Sequence, residues 1–132
     1  MDSRYDFLID EARKARKNCY TPYSGFNVGA ALLTKDGKIY RGCNIESVSF
    51  SPTNCAERTA LFKAVSDGDR EFSAIAVVGG KGDEEVDCTP CGVCRQMLSE
   101  FVGKDFIVIS KIGGEFRALT MKEMLPYCFE EF

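Results

Sequence analysis

The 132-residue sequence contains no histidine. That removes the commonest general base and the commonest metal ligand, and with them any Ser-His or Cys-His catalytic pair. Acid–base work must fall to Asp, Glu, Lys, Tyr or a metal-bound water. Long apolar runs are missing too: none approaches the roughly 20 residues needed to cross a bilayer, so no membrane span is expected. The opening Met-Asp-Ser-Arg-Tyr-Asp carries mixed charges and lacks the form of a secretory signal. Nor is there an excess of basic charge, since 17 Lys and Arg stand against 20 Asp and Glu for a net charge of -3. Proteins that bind nucleic acid usually carry a basic stripe that gains counterion-release energy. The one dense basic stretch, Arg13-Lys14-Ala15-Arg16-Lys17, reads as a solvated helix face. A small-molecule substrate is expected rather than a nucleic-acid polymer.

What the sequence does hold is globular: 45% hydrophobic and 28% charged residues, enough for one compact domain over residues 1–132. Seven cysteines, an odd count with no secretion signal, argue for a reducing, cytoplasmic setting over a disulfide framework.

Tyr5, Leu8, Ile9, Ala12, Ala15 and Cys19 recur at helical spacing, which predicts an amphipathic helix over 3–18. Residues 27–34 and 38–43 flank Lys35-Asp36-Gly37, a hairpin signal. A loop from Asn44 to Asn54 follows, then a helix from Ala56 that stops at Asp67-Gly68-Asp69. Ala74 to Val78, bounded by Gly79-Gly80, reads as a strand buried on both faces. Residues 81–90 are polar and irregular. A helix over 91–101, a strand at 106–109, a turn at Gly113-Gly114 and a capping box at Thr120–Glu123 complete the chain. The order predicts a three-layer α/β/α fold with a mixed, roughly five-stranded sheet.

Two segments carry the chemistry: Cys55-Ala56-Glu57-Arg58 and Pro90-Cys91-Gly92-Val93-Cys94-Arg95. Each opens a predicted helix, where unpaired N–H groups and the positive dipole end favour thiolates. The two residues between Cys91 and Cys94 let both sulfurs reach one ion, and Cys55 adds a third if the helix starts converge. Three protein ligands leave one tetrahedral position for water, as in a catalytic zinc site. Glu57 then stands where it can take a proton without ligating the metal. Cys88-Thr89-Pro90-Cys91 overlaps the first C-x-x-C, so Cys88 completing a four-Cys structural site is the alternative. Cys19, Cys43 and Cys128 read as small apolar core residues.

Joined about 35 residues apart, C-A-E and P-C-x-x-C match the signature of zinc nucleobase deaminases. Together with Pro22-Tyr23-Ser24-Gly25-Phe26-Asn27-Val28-Gly29-Ala30-Ala31, Gly42-Cys43-Asn44-Ile45-Glu46, Cys55-Ala56-Glu57-Arg58-Thr59-Ala60 and Leu125-Pro126, they resemble the cytidine deaminase family over essentially the whole chain. Cys at position 55, where other deaminases place His, is similar to the small homotetrameric branch. The resemblance implies one Zn2+ per chain on Cys55, Cys91 and Cys94, proton shuttling by Glu57, and charge compensation at the metal by Arg58. It implies that Asn44 and Glu46 bind the ribose 3'-hydroxyl and that Phe26 flanks the pyrimidine. The Ala56 N–H would hold the ring O2, and the Thr89 carbonyl would meet the amino group. An aromatic near the C-terminus, here Phe129, would close a neighbouring subunit's pocket. Phe50 stands where many relatives have Tyr. The apolar tail Tyr127-Cys128-Phe129 with Phe132 fits burial against another subunit better than exposure to water.

Overall fold

A computed structural model describes residues 3–130. A 3-10 turn (Ser3–Tyr5) leads into α1 (Asp6–Arg16), followed by β1 (Phe26–Thr34), β2 (Ile39–Cys43), α2 (Ala56–Ser66), β3 (Phe72–Lys81), α3 (Gly92–Ser99), β4 (Ile107–Ile112), β5 (Glu115–Thr120) and α4 (Met121–Met124). The five strands form one sheet in the order β2-β1-β3-β4-β5. β1 runs antiparallel to both β2 and β3, β3 and β4 are parallel, and β5 returns antiparallel on β4.

Side-chain alternation along the strands sorts the core into two layers. Leu8, Ile9 and Ala12 of α1 pack against Ala31, Ala74, Ala76, Val78 and Ile109 on one face. Ala56, Ala60, Leu61 and Ala64 of α2, with Leu98, Met121 and Met124, pack against Ala30, Leu32, Ile75, Val77 and Val108 on the other. The mixed five-stranded, three-layer reading is therefore the observed fold, and the Thr120–Glu123 capping box is present. Among the described residues no helix is long and apolar enough to cross a membrane.

One contact sets where α2 begins. A Cβ at Gly42 of β2 would lie 2.3 Å from the Ala56 carbonyl oxygen and 2.5 Å from the Ala60 nitrogen. Only a residue without a side chain lets the first turn of α2 press onto the sheet.

Three expectations are corrected. β3 does not stop at Gly79-Gly80 but runs through both to Lys81, because the missing side chains make room for the segment that folds back over them. A Cβ at Gly80 would lie 2.0 Å from the Glu84 carbonyl oxygen. Arg16 is not part of a solvated basic face: it is buried and donates to backbone carbonyls. Cys19, Cys43 and Cys128 are half-buried and lie outside the buried core; Cys19 Sγ donates to Asn27 Oδ1 at 3.0 Å. Phe132 lies outside the described residues.

Candidate metal centre and active site

Cys55 and Cys91 each occupy the position just before a helix, with extended backbone (φ -72°, ψ 155° and φ -66°, ψ 166°). That geometry holds both thiols at the open first turns of α2 and α3, where the helix dipoles favour negative charge. Cys91 Sγ also accepts from the Cys94 N–H at 3.5 Å. Because α2 and α3 both lie on the same face of the sheet, their starts converge.

The sulfurs of Cys55, Cys91 and Cys94 all lie within 4.8 Å of one another, with Cys55 and Cys91 3.7 Å apart. Tetrahedral zinc, with Zn–S near 2.3 Å, sets its sulfurs about 3.8 Å apart. The donor set is soft and the spacing matches, so the cluster fits one zinc ion with one position left for a further ligand. Cys94 is buried, Cys55 half-buried and Cys91 exposed, which leaves the cluster open on one side.

Charge is arranged around it. Arg58 Nη2 donates to Cys55 Sγ at 3.4 Å. The Cys94 thiol and the Arg58 guanidinium hold the Cys55 thiol well below the usual thiol range, and the proton it shares with Cys55 pushes Cys94 up. Cys55 in turn raises Arg58. Such a pair of sulfurs holds one proton that a binding cation displaces. Glu57, the second residue of α2, is only 4% exposed. Burial pushes its carboxyl up to about 7, and the Cys55 charge adds to the effect.

Cys88 does not join the cluster, which is the sole such group among the described residues. Its backbone pairs with Lys111, and burial pushes its thiol up to about 11, so it stays protonated. A Cβ at Gly79 would lie 2.7 Å from Cys88 Sγ and 3.1 Å from Phe26 Cε1. The half-buried Phe26 ring and Cys88 thus meet over Gly79.

Asn44 is neither a simple turn residue nor free. Its Nδ2 donates to the Phe26 carbonyl at 2.8 Å and its Oδ1 accepts from the Val28 N–H at 2.9 Å, which fastens the start of β1. Glu46 accepts from the Tyr23 and Ser24 N–H groups, both at 3.1 Å, and from the Ser24 hydroxyl. The Ser24 hydroxyl is the chief cause that lowers its pKa. Asn44 thus ties the start of β1, and Glu46 the loop before Phe26, to the segment just after β2. Ala56 is buried at the first position of α2, and Thr89 is exposed.

Phe129 is 75% exposed and lines a cavity of about 730 Å³ with Val102, Leu125 and Tyr127, among others, which includes none of the cluster residues. The chain does not bring Phe129 to its own metal centre. Phe50 is 79% exposed, with φ at 63°, a left-handed conformation unusual for a bulky side chain.

Two arginines stand out that sequence reasoning did not single out for these contacts. Arg95 donates to the Pro90 carbonyl at 2.7 Å, the Met124 carbonyl at 2.9 Å and Thr89 Oγ1 at 3.1 Å, so it braces the loop that delivers Cys91. Arg16 does the same for the turn upstream. Neither has a local signal: the carbonyls around Arg16 come from residues 27 and 80–84, and Arg95 joins the loop just before it to Met124, 29 residues on.

A buried carboxylate beside three converging sulfurs, on a mixed sheet between helical layers, defines a zinc-binding deaminase fold. Residues 2–110 match the family model described as the cytidine and deoxycytidylate deaminase zinc-binding region, and the chain belongs to that family. It is 51% identical over 125 residues to a cytidine deaminase of Sporosarcina psychrophila, covering 94% of this chain and 90% of the relative. It is 50% identical over 123 residues to one from Halalkalibacterium halodurans, covering 92% and 91%. The crystal structure of cytidine deaminase from Burkholderia pseudomallei superposes with a TM-score of 0.86 at 44% identity, covering 95% of this chain and 98% of that one.

The geometry separates ligand cysteines from the bystander. Cys91→Ser is expected to lose most of the bound zinc, while Cys88→Ser keeps one ion per chain, as read by metal analysis of the purified proteins. Loss of zinc from Cys88→Ser would place that sulfur in the site after all.

Proposed function

We propose that this chain hydrolytically deaminates cytidine and 2'-deoxycytidine to uridine and 2'-deoxyuridine, with release of ammonia, in the salvage of pyrimidines. The observation that carries the reading is Glu57: a buried carboxylate two residues after Cys55, beside three sulfurs but not among them. Relatives at about half identity bear the name of this activity.

Cys55, Cys91 and Cys94 hold the zinc, which when bound supplies Lewis acidity that brings the pKa of water toward neutrality. Glu57 takes a proton from the attacking water and delivers it to N3 of the pyrimidine, which makes C4 electrophilic. The hydroxide left from that water adds to C4, Glu57 carries the new hydroxyl's proton to the C4 amino group, and the C4–N bond breaks to release ammonia and leave the C4 carbonyl. Arg58 offsets the negative charge of the three thiolates through its bond to Cys55. Phe26 flanks the ring, the Ala56 N–H holds O2, and the Thr89 carbonyl meets the amino group.

Asn44 and Glu46 bind the ribose 3'-hydroxyl. Both have capacity left for it: one Asn44 Nδ2 proton and an acceptor site on Glu46 remain beyond the bonds they make to the loop. The exposed Phe129 closes the pocket of a neighbouring subunit, which requires an oligomer, and we infer a cytoplasmic homotetramer of single-domain chains spanning 1–132. Light scattering should return the mass of four chains, and a fully active monomer would remove the neighbour's role.

Glu57→Gln is expected to lose activity by about three orders of magnitude or more, in the upper range for loss of a proton-transfer group, with zinc retained. Arg58→Ala should likewise keep much of its zinc and lose turnover. Ammonia release and metal content together check both; an active Glu57→Gln would defeat the mechanism. The Glu46 carboxylate also sets the substrate class, since it accepts a hydroxyl proton but repels phosphate. The kcat/KM for cytidine should exceed that for its 5'-monophosphate by at least about tenfold, a difference near 1.4 kcal/mol; equal values would refute a nucleoside preference.

A further inference from the structure

Arg16 sits at the last position of α1, buried to 9% exposure, and it spends its guanidinium on backbone oxygens alone. Nε donates to the Asn27 carbonyl at 3.0 Å, and Nη2 lies within reach of the carbonyls of Gly80 (3.0 Å), Gly82 (3.2 Å) and Glu84 (2.8 Å). A charged donor among converging carbonyls makes bonds stronger than neutral ones, and only a guanidinium reaches both groups at once. The chain makes room for it: a Cβ at Gly29 would lie 2.8 Å from Arg16 Cγ, and one at Gly80 would lie 3.3 Å from Arg16 Nη2.

The two backbones it joins lead to two of the segments that line the proposed base pocket, Phe26 and residues 88–91. Asn27 follows Phe26 directly. The turn at 80–84 passes through Val86, paired to Gly79, into Cys88, Thr89 and Cys91. Phe26 and Cys88 meet over Gly79, and Cys88 lies close enough to Glu57 and Cys55 to feel the charge of both. Arg13, one turn earlier on α1, pairs with Glu85 at 2.6 Å, and Lys111 Nζ donates to the Glu85 carbonyl at 3.2 Å. Residues 80–85 are thus held by three cations, Arg16, Arg13 and Lys111, at Gly80, Gly82, Glu84 and Glu85.

We infer that Arg16 is a positioning residue for nucleobase recognition: it fixes the separation between Phe26 and the 88–91 segment without touching substrate or metal. This rests on the deaminase reading above. The cysteine sulfurs are held by the starts of α2 and α3, so loosening Arg16 widens the base pocket while the metal stays.

The test compares wild type with Arg16→Lys, Arg16→Gln and Gly80→Ala, the last of which displaces the same turn with Arg16 intact. Zinc content, thermal midpoint, cytidine KM and kcat, and the uridine dissociation constant are measured for each. KM and the uridine constant are expected to rise about tenfold or more, since misplacement by about 1 Å is costly, while kcat changes less than about threefold and zinc stays at one per chain. A purely structural residue would instead lower the thermal midpoint with KM and uridine binding within about twofold of wild type, and that result overturns the inference. So does loss of zinc in step with activity, or failure of all three variants to fold. If the wild type neither deaminates cytidine nor binds uridine, the deaminase reading fails first, and the role of Arg16 falls with it.

Discussion

Bringing three cysteine sulfurs within 4.8 Å of one another is the constraint to which the rest of the molecule answers. As thiolates they repel, so the surroundings must supply positive potential. The chain draws it from the first turns of α2 and α3 and from the Arg58 guanidinium at 3.4 Å. Both helix starts must also face the same point, which the sheet arranges by placing α2 and α3 on one face. Gly42 then removes the last obstacle to α2 seating closely.

With no histidine in the sequence, the one buried carboxylate among the described residues, Glu57, is the titratable oxygen group beside the sulfurs. The second residue of α2 places it close to the three sulfurs yet outside their set. Ala56, Ala60 and Ala64, all fully buried, keep the sheet-facing side of that helix small, so that α2 presses down and takes Glu57 out of water. The same packing that stabilises the layer thus raises the carboxyl toward neutrality. Here core packing and site chemistry have one cause.

Local patterns carried much of this into the sequence. Asp36-Gly37 marked the first hairpin, Thr120–Glu123 marked α4, and the two cysteine segments marked helix starts, because turns, caps and ligand spacings act over a few residues. What stayed illegible acts over distance. The basic run 13–17 read as a solvated helix face, which could not show that carbonyls from residues 27, 80, 82 and 84 would surround Arg16. Gly79-Gly80 looked like a strand end because glycine often punctuates strands; its actual use is to admit Cys88 and Glu84 against the sheet. Asn44 and Glu46 were legible as site candidates through family likeness, whereas their ties to Phe26, Val28 and Ser24 were not.

Those distant contacts explain how an irregular segment can be held in order beside the metal cluster. Most of residues 81–89 are exposed, and hydrophobic burial cannot fix them. Order comes instead from charged and polar bonds at intervals along the segment: Arg16 at 80–84, Arg13 and Lys111 at Glu85, the Gly113 and Gly114 N–H groups on the Asp87 carboxylate, and Arg95 at 89–90. The anchors come from four neighbours, namely α1 (Arg13 and Arg16), β4, the β4–β5 turn and α3. The segment is therefore positioned by elements on both faces of the sheet, although the metal cluster belongs to one. Substitutions on α1 can for this reason displace this segment from the face of the sheet opposite the metal cluster.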